Sequence, residues 1–157
     1  LHGFKKSLIG EFSLKRLVWW LVIIPFLVYL GLGIFAYFFA DKLIFQPQPS
    51  FYRDDESILK LVTLGGEKIS AKFFRNPTAE FTILFSHGNA EDIGSSGFYF
   101  EELSDAEFNV FAYDYRGYGT GEGQPSEQNS YQDAETAYNY LTGELKIPAE
   151  KIIIYER

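Results

Sequence analysis

Hydrophobic positions divide the chain into one unbroken apolar run followed by short alternating stretches. Residues 17–40 carry no formal charge and are rich in Leu, Ile, Val and Phe. As a helix this run is roughly 36 Å long, enough for a tilted crossing of a bilayer core. Trp19 and Trp20 sit near one end and Tyr37 near the other, matching the interfacial preference of amphipathic rings. A soluble helix would show one polar face, and this run shows none. A cleavable signal peptide would have a shorter apolar core and a small-x-small site, whereas Phe38-Phe39-Ala40 lacks the first small residue. The pattern therefore predicts an uncleaved transmembrane anchor, with Pro25 as a tolerated kink point.

After the anchor the periodicity changes. Gln46-Pro47-Gln48-Pro49-Ser50 reads as an extended linker, since each proline disfavours helix before it. Residues 58–64 and 68–74 are strand-like, with Ile69, Ala71 and Phe73 alternating with Lys68, Ser70 and Lys72. Gly65-Gly66 between them signals a two-residue hairpin. Asn76-Pro77-Thr78 breaks the pattern, and its proline rules out glycosylation at Asn76. Residues 82–85 form a third strand, and Phe100, Leu103 and Ala106 suggest a short helix. Residues 109–115 form a fourth strand, with Val110, Ala112 and Asp114 on one face and Phe111, Tyr113 and Tyr115 on the other. Tyr131, Ala134, Tyr138, Leu141 and Leu145 recur at helical spacing, and Ser130 with Asp133 resembles a capping box. Residues 151–155, K-I-I-I-Y, form a last apolar strand. The order hairpin, strand, helix, strand, helix, strand predicts an α/β fold whose later strands are parallel and joined by crossover helices.

Charge assigns the two ends different roles. Residues 1–16 carry Lys5, Lys6, Lys15 and Arg16 against Glu11, a net +3, while residues 41–157 carry −10. Basic flanks stay cytoplasmic, so the globular part is expected on the opposite side of the membrane. An acidic globular part has no clustered cations for nucleic acid. No cysteine is present, which excludes disulfides, thiolate metal sites and a cysteine nucleophile. His2 and His87 are too far apart in sequence to suggest a metal site. The chain starts at Leu1 and contains no methionine, which reads as an incomplete amino end.

Two polar corners carry the candidate chemistry. The third strand runs directly into Ser86, His87, Gly88 and Asn89, and the fourth empties into the loop 116–123, R-G-Y-G-T-G-E-G. That loop fails the dinucleotide fingerprint, because the third glycine position falls on Glu122 or Gln124. It also lacks the Gly-Lys-Ser/Thr of a phosphate loop. It reads as a mobile loop needing positive φ.

Taken together, S-H-G-N-A-E-D at 86–92, Y-D-Y-R-G-Y-G at 113–119 and the later G-Q-P-S-E resemble the α/β-hydrolase fold. More narrowly they are similar to a membrane-anchored group of serine hydrolases that includes protein depalmitoylases. The resemblance covers about residues 51–155. It implies that the backbone N–H of Asn89, or of Ala90, is one arm of an oxyanion hole. It further implies that His87, Gly88, Asp114 and Arg116 support the loops, His87 as a structural residue and Asp114 with Arg116 as a structural pair. The family's nucleophilic serine lies in a G-x-S-x-G turn directly after the strand at 151–155, with the acid and histidine later still. Here Glu156 stands at the first glycine, and the serine is expected one residue beyond Arg157. Ser86, Ser126 and Ser130 do not substitute for it, since none lies at a strand-to-helix elbow with a histidine base.

The chain is therefore expected to be the amino-terminal part of an α/β-hydrolase sheet preceded by one transmembrane helix. Its parts are a basic cytoplasmic segment (1–16), the anchor (17–40), a linker (41–50) and an incomplete hydrolase domain (51–157). The complete enzyme would cleave an ester or thioester, in a small acyl ester or an acylated protein, without metal or cofactor, beside a lipid bilayer. This chain alone would be inactive, with an apolar sheet edge at residues 152–154. A non-catalytic, membrane-tethered interaction module built on the same half-fold is the alternative.

Overall fold

A computed structural model describes residues 14–157; most of the basic segment, residues 1–13, lies outside the described residues. The chain divides into two compact units, Leu1–Ala40 and Asp41–Arg157.

The first unit is built on helix α1, Leu14–Ile44, whose last turn belongs to the second unit. The helix starts before the uncharged run and continues past it through Asp41 and Lys42, because charged residues at the ends of an exposed helix do not break it. It passes through Pro25 without interruption. Among the described residues it is the one helix long and apolar enough to cross a bilayer, and its most apolar window is not buried against protein.

The second unit is a five-stranded sheet flanked by helices. Strands β1 (Leu59–Val62), β2 (Lys68–Phe74), β3 (Thr82–Ser86), β4 (Asn109–Tyr113) and β5 (Ile152–Glu156) lie in the order β1-β2-β4-β3-β5. β2 pairs antiparallel with β1 and β4, while β3 pairs parallel with β4 and β5. The register sets Ser86 beside Tyr113 on one side and Glu156 on the other. The carboxyl ends of three parallel strands therefore meet at one rim, where open α/β sheets place their sites.

Helix α2 (Gly97–Asp105) and helix α3 (Glu127–Asn139) are associated with the sheet's two apolar clusters. Ile83, Phe85, Val110 and Ala112 pack with Ile93 and with Phe100 of α2. Leu84, Phe111 and Tyr113 pack with Ala137 of α3 and with Leu141 in the π turn that extends it. All five residues of β3 are buried, as expected for a parallel strand covered on both faces.

Several expectations change. The β1–β2 hairpin closes through a three-residue loop, with Thr63 N–H donating to Glu67 O and Gly66 N–H to Thr63 O. Gly66 takes the left-handed position of that loop at φ +94°, with open space where a side chain would project. Gly66→Ala is therefore expected to cost only about 1 kcal/mol, the price of left-handed backbone without a clash, as a shift in the urea midpoint. A loss above twice that would indicate a contact the open space does not contain.

Ser126, not Ser130, caps α3: it has extended backbone and accepts from Asn129 N–H at 3.2 Å. Ser130 lies one turn inside and donates to Glu127 O, and Tyr131 faces solvent rather than the core. Ser70, on the polar face of β2, is fully buried because the glycine loop folds over it. β5 forms one edge of the sheet, with Ile154 71% exposed. An apolar strand on an open edge invites pairing with another chain.

Candidate functional site

The site is built at the rim where β3 and β4 end. β3 delivers Ser86, whose hydroxyl shares a buried hydrogen bond of 2.8 Å with the Tyr113 hydroxyl from β4. His87 follows, buried between the rings of Tyr115 and Tyr118. Its Nδ1 lies 2.9 Å from Gly88 O, so that nitrogen carries the proton and donates. Nε2 has no hydrogen-bond partner among the described residues and lies 3.6 Å from Asp114 Oδ1. Burial pushes the His87 imidazole below its ordinary range, which keeps it neutral near pH 7.

The turn after His87 assigns its N–H groups to different partners. Gly88 N–H donates to Glu91 Oε2 at 3.2 Å, and Glu91 N–H returns to Gly88 O. Ala90, in left-handed backbone at φ +65°, donates to Asn89 Oδ1 at 3.0 Å. The Asn89 N–H has no partner among the described residues, and Asn89 is exposed. Of the two N–H groups expected as oxyanion donors, that of Asn89 is thus open and that of Ala90 is engaged.

The Asn89 side chain holds this geometry. Its Nδ2 donates to Ile44 O at 2.6 Å. Its Oδ1 accepts from Gln46 N–H at 3.1 Å and from the Tyr118 hydroxyl at 2.7 Å. All of these residues lie in the second unit. One carboxamide therefore ties the exit of α1, the glycine loop and the turn together. Gln46 and Tyr118 had no sequence signal pointing to this role, since their partners lie far along the chain.

Asp114 and Arg116 do not pair with each other. Asp114, fully buried, accepts from Ile93 N–H at 2.8 Å through Oδ1 and from the Tyr52 hydroxyl through Oδ2. It joins the loop after β3 to the start of the domain. Arg116 reaches α3 instead, where Nε donates to Asp133 Oδ1 at 2.7 Å and its backbone N–H to Asp133 Oδ2 at 2.8 Å. Strand alternation would set residues two apart on one face, but β4 ends at Tyr113, and the turn that follows sends the two side chains into different surroundings. Asp133, assigned to a helix cap by spacing alone, is the buried partner of Arg116. Asp92, within the 86–92 motif, also braces the loops: it accepts from Phe51 N–H at 2.8 Å and Ser95 N–H at 2.7 Å.

The glycine loop is packed. Tyr118 is 2% exposed, and Gly117 N–H, Gly121 N–H and Glu122 N–H donate to Glu122 O, Tyr118 O and Lys68 O. Asp54, Lys60, Ser70 and Thr120 form a polar network against it. Among the described residues, none of Ser86, Ser126 and Ser130 is bonded to a histidine. Among the described residues no group of acidic, cysteine and histidine side chains is arranged to hold a metal.

Burial pushes the Asp114 carboxyl up to about 7 and, with help from the neighbouring Asp114, raises the Tyr52 phenol, which stays a donor. The folded chain thus holds the Asp114 proton at pH values where an unfolded carboxyl, near about 3.9, has lost it. Where the native state binds the extra proton, stability falls as pH rises. The stability of the native chain relative to Asp114→Asn is expected to drop by about 3 kcal/mol between pH 4 and 7 and to level off above about pH 8. His87 has the opposite sign, because its depressed folded pKa favours stability as pH rises, and it is common to both proteins. Urea unfolding of the two proteins across that range checks this, and a difference rising with pH would refute the buried proton.

Comparison with known proteins places this arrangement. Residues 77–146 match the serine aminopeptidase S33 family. The second unit resembles an esterase from Pyrococcus furiosus, with a TM-score of 0.60 at 16% identity over 71% of this chain and 48% of that one. It also resembles an α/β hydrolase from Vibrio vulnificus, with a TM-score of 0.53 at 25% identity over 63% of this chain and 35% of that one. The five-stranded unit has the α/β-hydrolase fold. The chain is similar to human α/β hydrolase domain-containing protein 17B, 45% identical over 95 residues, which is 59% of this chain and 33% of that protein. The Caenorhabditis elegans α/β hydrolase domain-containing protein aho-3 is 48% identical over 80 residues, 50% of this chain and 24% of its own length. The chain spans about a third or less of the curated relatives it matches.

Proposed function

We propose that this chain is the amino-terminal part of a membrane-anchored serine hydrolase that cleaves an ester or thioester, and that it supplies one arm of the oxyanion hole without the nucleophile. The observation that carries this reading is the open Asn89 N–H at the end of β3. It lies beside a parallel β5, the strand after which the fold sets its nucleophilic serine. In acyl transfer the carbonyl oxygen gains negative charge, and a fixed N–H dipole stabilises it without reorganising. Ala90's engaged N–H favours Asn89 as the donor. His87, neutral and buried, then acts in the fold of the corner and not as the base. Asp114 and Arg116 keep the two loops in place.

In this reading α1 is the anchor, the basic amino end is cytoplasmic, and the globular part lies on the opposite side. The substrate is a small acyl ester or an acylated protein at the bilayer. No cofactor and no nucleic acid take part.

Treatment of the 157-residue chain with a fluorophosphonate probe tests the reading. No site-specific labelling is expected. Stoichiometric labelling of one serine would overturn the claim that the nucleophile is missing. Sequencing the coding DNA past Arg157 separates the enzyme from the alternative. A Ser-x-Gly directly downstream supports the hydrolase, and a stop codon there favours the interaction module.

A further inference from the structure

The start of α1 carries a second candidate site, independent of the hydrolase rim. Lys15, Trp19 and Ile23 form one row at helical spacing, and Arg16 with Trp20 forms the next. Side chains four apart lie above one another on a helix, so the two rows form the walls of a cleft. These five residues line a volume of about 320 Å³. Trp19 is 67% and Trp20 59% exposed, and neither Lys15 nor Arg16 has an ion-pair partner among the described residues. No acidic residue lies in the first turn to neutralise them.

The cleft grades from two cations, through two indole rings with N–H donors, to an aliphatic side chain. A phospholipid presents the same sequence in reverse charge: an anionic phosphate, a polar ester region and acyl chains. We propose that this cleft binds the headgroup of an anionic phospholipid from the leaflet at the amino end of α1. Lys15 and Arg16 meet the phosphate, the indoles meet the ester level, and Ile23 meets the first acyl carbons. Lys5 and Lys6 add positive charge to the preceding segment. Charge complementarity selects the occupant. Among the described residues the cleft carries two positive charges and no negative one, which disfavours zwitterionic lipid, and the flanking aromatics are suited to the membrane interface rather than to water. The proposal rests on the reading of α1 as a membrane anchor.

Trp19 and Trp20 are the chain's two tryptophans, so its tryptophan fluorescence reports this cleft directly. The full chain is reconstituted in phosphatidylcholine vesicles containing brominated phosphatidylglycerol or, in parallel, brominated phosphatidylcholine. Quenching by the anionic lipid should follow an apparent affinity at least about threefold higher than that of the zwitterionic lipid at moderate salt. In Lys15→Gln/Arg16→Gln the two lipids should become equivalent, while Lys5→Gln/Lys6→Gln should keep most of the preference. Circular dichroism and the emission maximum confirm that each variant still inserts. Equal quenching of the native chain by the two lipids would overturn the lipid site while leaving the anchor intact. Loss of the preference only in Lys5→Gln/Lys6→Gln would also overturn it, by assigning the effect to the preceding segment. Displacement of the anionic lipid by millimolar inorganic phosphate would assign the cleft to a soluble anion instead. Absence of quenching by either lipid would refute the anchor and this site with it.

Discussion

Arg116→Ala is expected to lower the unfolding free energy of the Asp41–Arg157 unit by about 3–5 kcal/mol, because it leaves Asp133 as an unpaired buried charge. Asp133 is fully buried, and the Arg116 guanidinium beside it is 3% exposed. Two hydrogen bonds, of 2.7 and 2.8 Å, join Arg116 to the two carboxylate oxygens. The guanidinium also donates to Gln132 Oε1 at 2.8 Å and Asn129 O at 3.3 Å, so most of its donors are used within α3. Water cannot replace the side-chain partners, and the corner at residue 116 keeps only its backbone N–H bond to Asp133 Oδ2. Arg116→Lys should recover little, since an ammonium cannot reproduce the planar fork. The double replacement Arg116→Met/Asp133→Leu should cost clearly less than Arg116→Ala, because it leaves neither charge behind. Urea denaturation of the full chain in micelles gives all three values. A single-site loss below about 1 kcal/mol would mean that the pair is solvated in solution and does not join the loop to α3.

Gly119→Ala is expected to destabilise the same unit by about 3–5 kcal/mol, adding left-handed backbone strain to two broken hydrogen bonds. Gly119 has φ +53°, and a Cβ there would lie 1.9 Å from Asp114 Oδ2 and 2.8 Å from the Tyr52 hydroxyl. Asp114 cannot simply turn aside. Its other oxygen holds Ile93 N–H, and its backbone N–H donates to Ser70 O at 2.8 Å. The added methyl must either expel the carboxyl from its pocket or lift the loop from β2. In both cases the amides of Ile93 and Thr120 should lose protection against hydrogen exchange before those of β3. Gly66→Ala, also at positive φ but with open space, provides the contrast. Equal costs at the two positions would show that backbone strain, not the Asp114 contact, sets the effect.

These two positions show how far local pattern reaches. Alternation along 109–113 and the continuous burial of β3 follow from strand geometry, so the strands and their order were legible. The corner at 86–90 was legible for the same reason, since a polar, glycine-containing turn after a buried strand is a local feature. The requirement for glycine in R-G-Y-G was visible, but its cause was not. Positive φ alone does not explain Gly119, because the decisive atom belongs to a side chain fixed by Tyr52 from a distant part of the chain. Arg116 was read with Asp114 because they are neighbours in sequence, and its true partner was given a local role as a helix cap. Ser126 holds the cap because its extended backbone places its hydroxyl under the first turn, whereas Ser130 already lies inside the helix.

By itself, then, the sequence determined the apolar helix, the hairpin followed by parallel strands, the polar corner and the basic end of α1. Those features depend on backbone periodicity and composition over a few residues. Tertiary structure alone decided which N–H of the corner is open, that Asn89 ties residues 44 and 46 to Tyr118, and that Asp133 belongs to Arg116. The last two depend on which side chains reach one another across 17 to 72 residues of chain. That selection follows from packing and from the cost of leaving a buried polar group unpaired, and neither is encoded in local spacing.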